Sequence, residues 1–208
     1  MDNEKIKIEI LKQALINIPF DGWNIDTFKE SATNLGHDAL IIDALFPNGL
    51  HDTFKLFSKW SDDQMLEELQ SKNTTNMRIH DKIALAVETR IHTLTPYKDC
   101  VRASAKTLAT PQYARTGTQI TWNCADTIWT WVGDTSTDYN RYTKRGLLSG
   151  VLASTMIYWL QDDSDNATKT IEFLNRRIQN VLSIGKNAGP VIKPVASLFE
   201  RFIVRKTS

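Results

Sequence analysis

The chain has 208 residues, and 25 Lys and Arg against 24 Asp and Glu leave a formal net charge of +1. That balance argues against the basic surplus with which a nucleic-acid-binding domain displaces counterions from phosphates. Two Cys without CxxC spacing argue against a disulfide framework and for a reducing compartment, and His37, His51, His80 and His92 show no metal-ligand spacing. The N-terminus carries neither an apolar signal core nor an Arg-rich transit composition. The longest near-apolar run, 146–160, is too short for the roughly 20 residues needed to cross a bilayer, so the expected protein is soluble.

In chain order, the apolar spacing is helical throughout. Ile6, Ile10, Leu11, Ala14, Leu15 and Ile18 make the first stripe, closed by Pro19 and Gly22. Asp26 is the expected cap of a second helix over 27–35, stopped at Gly36, and Asp38 of a third over 39–46, stopped at Pro47. Two short helices around a central Gly give the outline of a DNA-reading helix-turn-helix. Yet 37–45, where the reading helix falls, holds two Asp and no Lys or Arg. A fourth helix starts near Leu50, and a fifth runs over 78–94, where Glu88 and His92 lie one turn apart as a solvated ion pair. Helices follow over 100–108, from Pro111 to Val132 and over 138–160; after a polar break at 162–166 a further helix carries Ile171, Phe173, Leu174, Ile178, Val181, Leu182 and Ile184, and no strand pattern emerges.

No nucleophile–base–orienter set and no Gly-rich phosphate loop can be assembled, so an enzyme is not supported and no catalytic residue or cofactor is assigned. The polar block Gly133-Asp134-Thr135-Ser136-Thr137-Asp138 reads as capping chemistry, with Asp138 or Thr137 at the N-cap. Gly146 and Gly150 form a GxxxG step, read as close helix packing in a soluble core or a dimer interface. Trp122, Trp129, Trp131, Tyr158 and Trp159 suit a core or the lining of an apolar cavity. Behind a Gly/Pro-rich hinge, Val195, Leu198, Phe199, Phe202 and Ile203 form one apolar stripe with Arg201, Arg205 and Lys206 beside it. That pattern fits an interfacial helix on a membrane of anionic lipid, or a helix docked on protein.

Two resemblances follow from these features. From about Glu4 to Phe57, the order helix, Gly22-Trp23, helix, Leu35-Gly36, helix, Phe46-Pro47-Asn48-Gly49, helix resembles the DNA-binding head of TetR-family regulators. Carboxylates at 38 and 43 repel phosphates, so this resemblance implies the fold and not the DNA activity.

The second covers nearly the whole chain. Ala86-Val-Glu-Thr-Arg90 with Pro96-Tyr97, the block from Gly133-Asp134 through Tyr139-Asn-x-Tyr-Thr-Lys-Arg145, Gln161-Asp-Asp163 and Phe173-Leu-x-x-Arg-Ile178 are similar to the Coq-nine family. It implies an all-α, TetR-like fold: a head over 1–57, a helical body for lipid binding and dimerisation over 58–188, and a hinge with a membrane-contacting amphipathic helix over 189–208. It further implies a non-enzymatic accessory protein of ubiquinone biosynthesis. Such a protein binds an isoprenoid quinone or phospholipid and presents quinone intermediates to the di-iron demethoxy-ubiquinone hydroxylase. The docking surface falls on Ile128, Trp129, Tyr139, Asn140, Arg141 and Tyr142, where the family often has Trp at the position of Arg141. Helix faces suggest Trp122, Leu147, Leu148, Val151, Met156 and Leu174 as lipid lining, and Leu198, Phe199, Phe202 and Ile203 as membrane contacts. A homodimer is expected. So is a place on the bacterial inner membrane or, for a processed chain, on the mitochondrial matrix side. The competing reading is a ligand-responsive repressor of TetR type.

Overall fold

In a computed structural model of the chain, residues 3–137 and 139–187 are described. Among them the protein is all-α, with nine α-helices and two single turns of 3₁₀ helix. The residues group into two compact units, 1–73 with 86–124 and 74–85 with 125–208, of which the second is described to residue 187.

The first unit is built on α1 (Asn3–Asp21), which packs against α2 (Ile25–Asn34), α4 (Leu50–Gln70) and α6 (Lys98–Leu108), while α2 packs against α3 (Ile41–Leu45). The stripe seen in sequence is the buried face of α1: Ile10, Leu11, Ala14 and Ile18 lose all or nearly all of their surface. Pro19 does not end this helix. It sits in the last turn, where its missing N–H leaves Leu15 O to accept from Cys100 Sγ at 3.1 Å, and Gly22 (φ +81°) ends the helix with its N–H on Ile18 O at 2.9 Å.

The cap of α2 is Asn24, not Asp26: its Oδ1 accepts from Thr27 N at 3.0 Å with an extended backbone at Asn24. Asp38 caps the turn before α3, accepting from Leu40 N at 2.9 Å, so α3 starts two residues later than the spacing suggests. Trp23 closes the head. It stacks on Phe54 with centroids 5.0 Å apart, and its Nε1 donates to Thr53 Oγ1 at 3.0 Å.

Deeper in this unit, Arg90 and Asp62 form a buried ion pair on α5 (Ile79–Leu94) and α4. The pair leaves neither charge alone in a low-dielectric interior, where an unpaired ion is costly. Both cysteines are buried and free, and burial pushes the Cys100 thiol up to about 11 and Cys124 higher still, which keeps both protonated and unreactive. His92 and Glu88 pair at 3.6 Å on the surface of α5, as their spacing predicts.

In the second unit α8 (Tyr139–Leu160) packs against α9 (Thr168–Asn187). The buried stripe of α8 is Leu148, Val151, Leu152, Thr155 and Trp159, and Leu174 and Ile178 are its counterparts on α9. Asp162 starts α9: its carboxylate accepts from Thr170 N at 2.9 Å and Thr170 Oγ1 at 2.6 Å, and from Ser164 N at 2.9 Å. Burial raises that carboxyl, but these hydrogen bonds outweigh it and hold the group well below the ordinary carboxylate range.

Among the described residues, nothing packs closely on Gly146 or Gly150. Both are exposed, and a Cβ built on either meets nothing within 4 Å. Tyr142, Gly146, Gly150, Ala153 and Ile157 instead make an open face of α8. Among the described residues no helix is long and apolar enough to cross a membrane.

Candidate functional site

The junction between α7 (Ala114–Trp131) and α8 is the most highly organised polar region of the second unit. Gly133 (φ +85°) turns the chain after α7, with its N–H on Thr130 O at 3.0 Å, and the Asp134 N–H follows onto Trp129 O at 2.9 Å. This directs the Asp134 side chain, 5% exposed, toward α8. Its Oδ1 accepts from Lys144 Nζ at 2.7 Å and Ser136 Oγ at 2.8 Å, and its Oδ2 from Arg145 Nη1 at 3.0 Å. Arg145, itself 2% exposed, also donates through Nε to Asp126 on α7, and Arg141, one turn earlier, donates through Nη2 to the same carboxylate at 3.1 Å.

Burial alone raises the Asp134 carboxyl. The hydrogen bonds from Lys144, Ser136 and Arg145 outweigh it and hold the group well below the ordinary carboxylate range. Burial lowers Arg145, but the hydrogen bonds to Asp126 and Asp134 outweigh it and raise the group. Of the N-cap candidates expected in the Gly133–Asp138 block, Asp138 lies outside the described residues. Asp134 is spent on side chains one to two turns inside α8, because a buried guanidinium demands carboxylates within hydrogen-bonding reach.

This lattice fixes the residues expected to meet a partner. Trp129 is half-buried: its Nε1 donates to Lys144 O at 3.1 Å, and Lys144 Nζ lies 5.3 Å from its ring centroid. Arg141 and Tyr139 are half-buried, and Asn140 and Tyr142 are exposed. Ile128 is the exception. It is fully buried and offers no surface to a partner, so it supports this region from beneath. Among the described residues, the outer side of the junction is a surface of aromatic rings and guanidinium charge.

Of the residues suggested as lipid lining, Leu148, Val151 and Leu174 are buried, and Leu147 and Met156 are half-buried on α8. Trp122, on α7, belongs to the first unit and is half-buried. A separate groove lies along α9, lined by Phe173, Asn175, Arg176, Arg177, Gln179 and Asn180. Leu198, Phe199, Phe202 and Ile203 lie outside the described residues. Asp126, Asp134, Ser136, Lys144 and Arg145 escaped the sequence reading. One signal was present: Arg145 stands three residues before Leu148, in register with the apolar stripe of α8.

A family model described as COQ9 matches residues 114–185, which spans this junction and most of α9. The chain is 30% identical over 200 residues to the ubiquinone biosynthesis protein COQ9, mitochondrial, of Rattus norvegicus, covering 90% of this chain and 62% of that protein. The chain is thus similar to the COQ9 family over nine tenths of its length.

Two further COQ9 proteins, also named as mitochondrial ubiquinone biosynthesis proteins, resemble it. That of Drosophila melanogaster is 29% identical over 87% of this chain and 56% of its own length, and that of Homo sapiens 28% identical over 90% and 61%. The chain thus spans about three fifths of these COQ9 relatives. Its fold is TetR-like: the crystal structure of a TetR transcriptional regulator from Nitrosomonas europaea superposes with a TM-score of 0.66, covering 84% of this chain and 97% of that one. At 14% identity the likeness concerns fold alone. The COQ9 match also gives the α7–α8 lattice its context, because the matched segment contains every residue of it.

Proposed function

We propose that this COQ9-like chain is a non-catalytic, lipid-binding accessory protein of ubiquinone biosynthesis. It takes up an isoprenoid quinone intermediate or phospholipid at a membrane surface and presents the quinone to the di-iron demethoxy-ubiquinone hydroxylase. The observation that carries this reading is the α7–α8 lattice inside the family-matched segment. Two carboxylates, two arginines and a lysine hold Trp129 and Arg141 in place, with Tyr142 exposed beside them. Rigid aromatic and Arg side chains are the residue types that anchor protein interfaces, and pre-ordering them lowers the entropy cost of docking.

The remaining parts follow the same division of labour. The body shelters the lipid, with Leu147, Leu148, Val151, Met156 and Leu174 of the second unit as lining. The head, 1–57, is architectural: the α3 region presents Asp38 and Asp43, with Asp43 3.7 Å from Lys29, and offers no cation to a DNA backbone. The segment 189–208 lays its apolar stripe in the membrane interface. The open face of α8 at Gly146 and Gly150 suits a homodimer. The protein works as a peripheral protein on the inner membrane or on the mitochondrial matrix side, the latter supported by the naming of its relatives as mitochondrial.

The test is mass spectrometry of an organic extract of the purified protein. Co-purified isoprenoid quinone or phospholipid is the expected result. A lipid-free extract, together with a protein that ignores quinone-loaded liposomes, sinks the reading.

A further inference from the structure

The groove on α9 has a volume of about 520 Å³ and an electrostatic character of its own. At one side Phe173 lies flat on Tyr158, the ring centroids 4.5 Å apart and the planes 6° from parallel, which makes a fixed apolar wall. Arg177 lines the groove half-buried, and its buried Nε finds no hydrogen-bond acceptor among the described residues. A buried guanidinium N–H without an acceptor is uncommon in folded proteins, because its desolvation goes uncompensated. Arg176 lies beside it, 63% exposed, with a loose and solvent-screened pairing to Glu172 at 3.9 Å. Over 168–183 the helix carries Lys169, Arg176 and Arg177 against Glu172 alone. Asn175, Gln179 and Asn180 add amide donors along the groove.

Cationic donors beside an aromatic wall suit an amphiphile with an anionic head. The chain's own terminal segment fits poorly, since 188–208 carries Lys193, Arg201, Arg205 and Lys206 against Glu200. We propose that the α9 groove binds the phosphate of an anionic phospholipid headgroup at the membrane surface. Arg176 and Arg177 are the cationic contacts, and Phe173 packs on the glycerol and upper acyl carbons. The inference rests on the lipid-binding reading above and adds to it a headgroup class and a second point of membrane contact, separate from the C-terminal stripe.

The experiment is co-sedimentation of the full chain with vesicles of phosphatidylcholine, with and without phosphatidylglycerol. It compares the wild type with R176Q/R177Q, R176K/R177K and the tail variant R201Q/R205Q/K206Q. The expected result is a wild-type preference for the anionic vesicles that falls roughly fivefold for each arginine neutralised in the groove. The lysine pair keeps most of it, and the tail variant retains a groove-dependent remainder. Unchanged melting temperatures exclude misfolding as the cause.

The proposal is overturned if R176Q/R177Q binds anionic vesicles as the wild type does. It is also overturned if the wild type binds both vesicle types equally while still co-purifying with lipid, which leaves the lipid-binding reading standing. Binding of inorganic phosphate without a preference for anionic vesicles overturns it too, by reducing the groove to a general anion site. A wild type that ignores every vesicle and yields no lipid removes the lipid-binding reading and this inference together.

Discussion

Arg145 occupies a position in the buried stripe of α8 that an aliphatic residue would fill in an ordinary amphipathic helix. Its cost is met by Asp126 and Asp134, and the arrangement is sensitive to the loss of either. Replacing Asp134 by Asn leaves a buried guanidinium and the Lys144 ammonium short of one anion. The expected loss is about 3 kcal/mol of unfolding free energy, read from the shift of a urea transition. The pH dependence has a definite sign. Asp134 titrates well below its unfolded value of roughly 3.9, so its contribution is complete above about pH 4 and fades as the pH falls below that. Acid unfolding of the Asn variant is therefore flatter between about pH 4 and pH 2 than that of the wild type, with Asp162 supplying the slope that remains. Sequence gave access to the block holding Asp134 but not to its role. Asp134 and Asp126 meet Arg145 across separations of 11 and 19 residues, and spacing rules reach only one or two helical turns.

At the scale of elements, helix positions were legible because each helix buries one stripe, as Ile10, Ala14 and Ile18 do in α1. Ends were less so. Asn24 and Asp26 are both good caps by type, and only the extended backbone at Asn24 decides between them. The GxxxG step illustrates the same limit: small residues permit a close neighbour without supplying one, and none meets Gly146 or Gly150 among the described residues. The start of α9 is where a cap carries most weight, since Asp162 satisfies two groups of Thr170 and the Ser164 N–H together. Replacing Asp162 by Ala is expected to cost 1–2 kcal/mol. Amide hydrogen exchange checks it: faster exchange concentrated over 168–171, with α1 and α4 unchanged, is the predicted pattern.

For the whole molecule, the likeness to a TetR regulator gives the frame alone, and function rests on the surfaces that the frame carries. The head keeps helix-turn-helix spacing, held by Trp23, Phe28 and Phe54, while its third helix holds Asp43 and no cation. The family likeness was legible because the Gly133–Arg145 block sits in one continuous stretch, and that stretch proved to be the ion lattice beneath the proposed docking surface. The α9 groove was not legible. Its character depends on Arg177 being half-buried, its Nε without an acceptor among the described residues, while Arg176, its neighbour in sequence, is exposed, and no pattern of residue types distinguishes the two. The central claim is that this chain brings a membrane-held quinone to the hydroxylase. The measurement that addresses it most directly is turnover of demethoxy-ubiquinone in liposomes by that hydroxylase, with and without this protein. The account predicts faster hydroxylation in proportion to added protein, and less gain when Arg141 and Tyr142 are both replaced by Ala. Turnover unaffected by the wild-type protein, at concentrations where it binds the same liposomes, would contradict it.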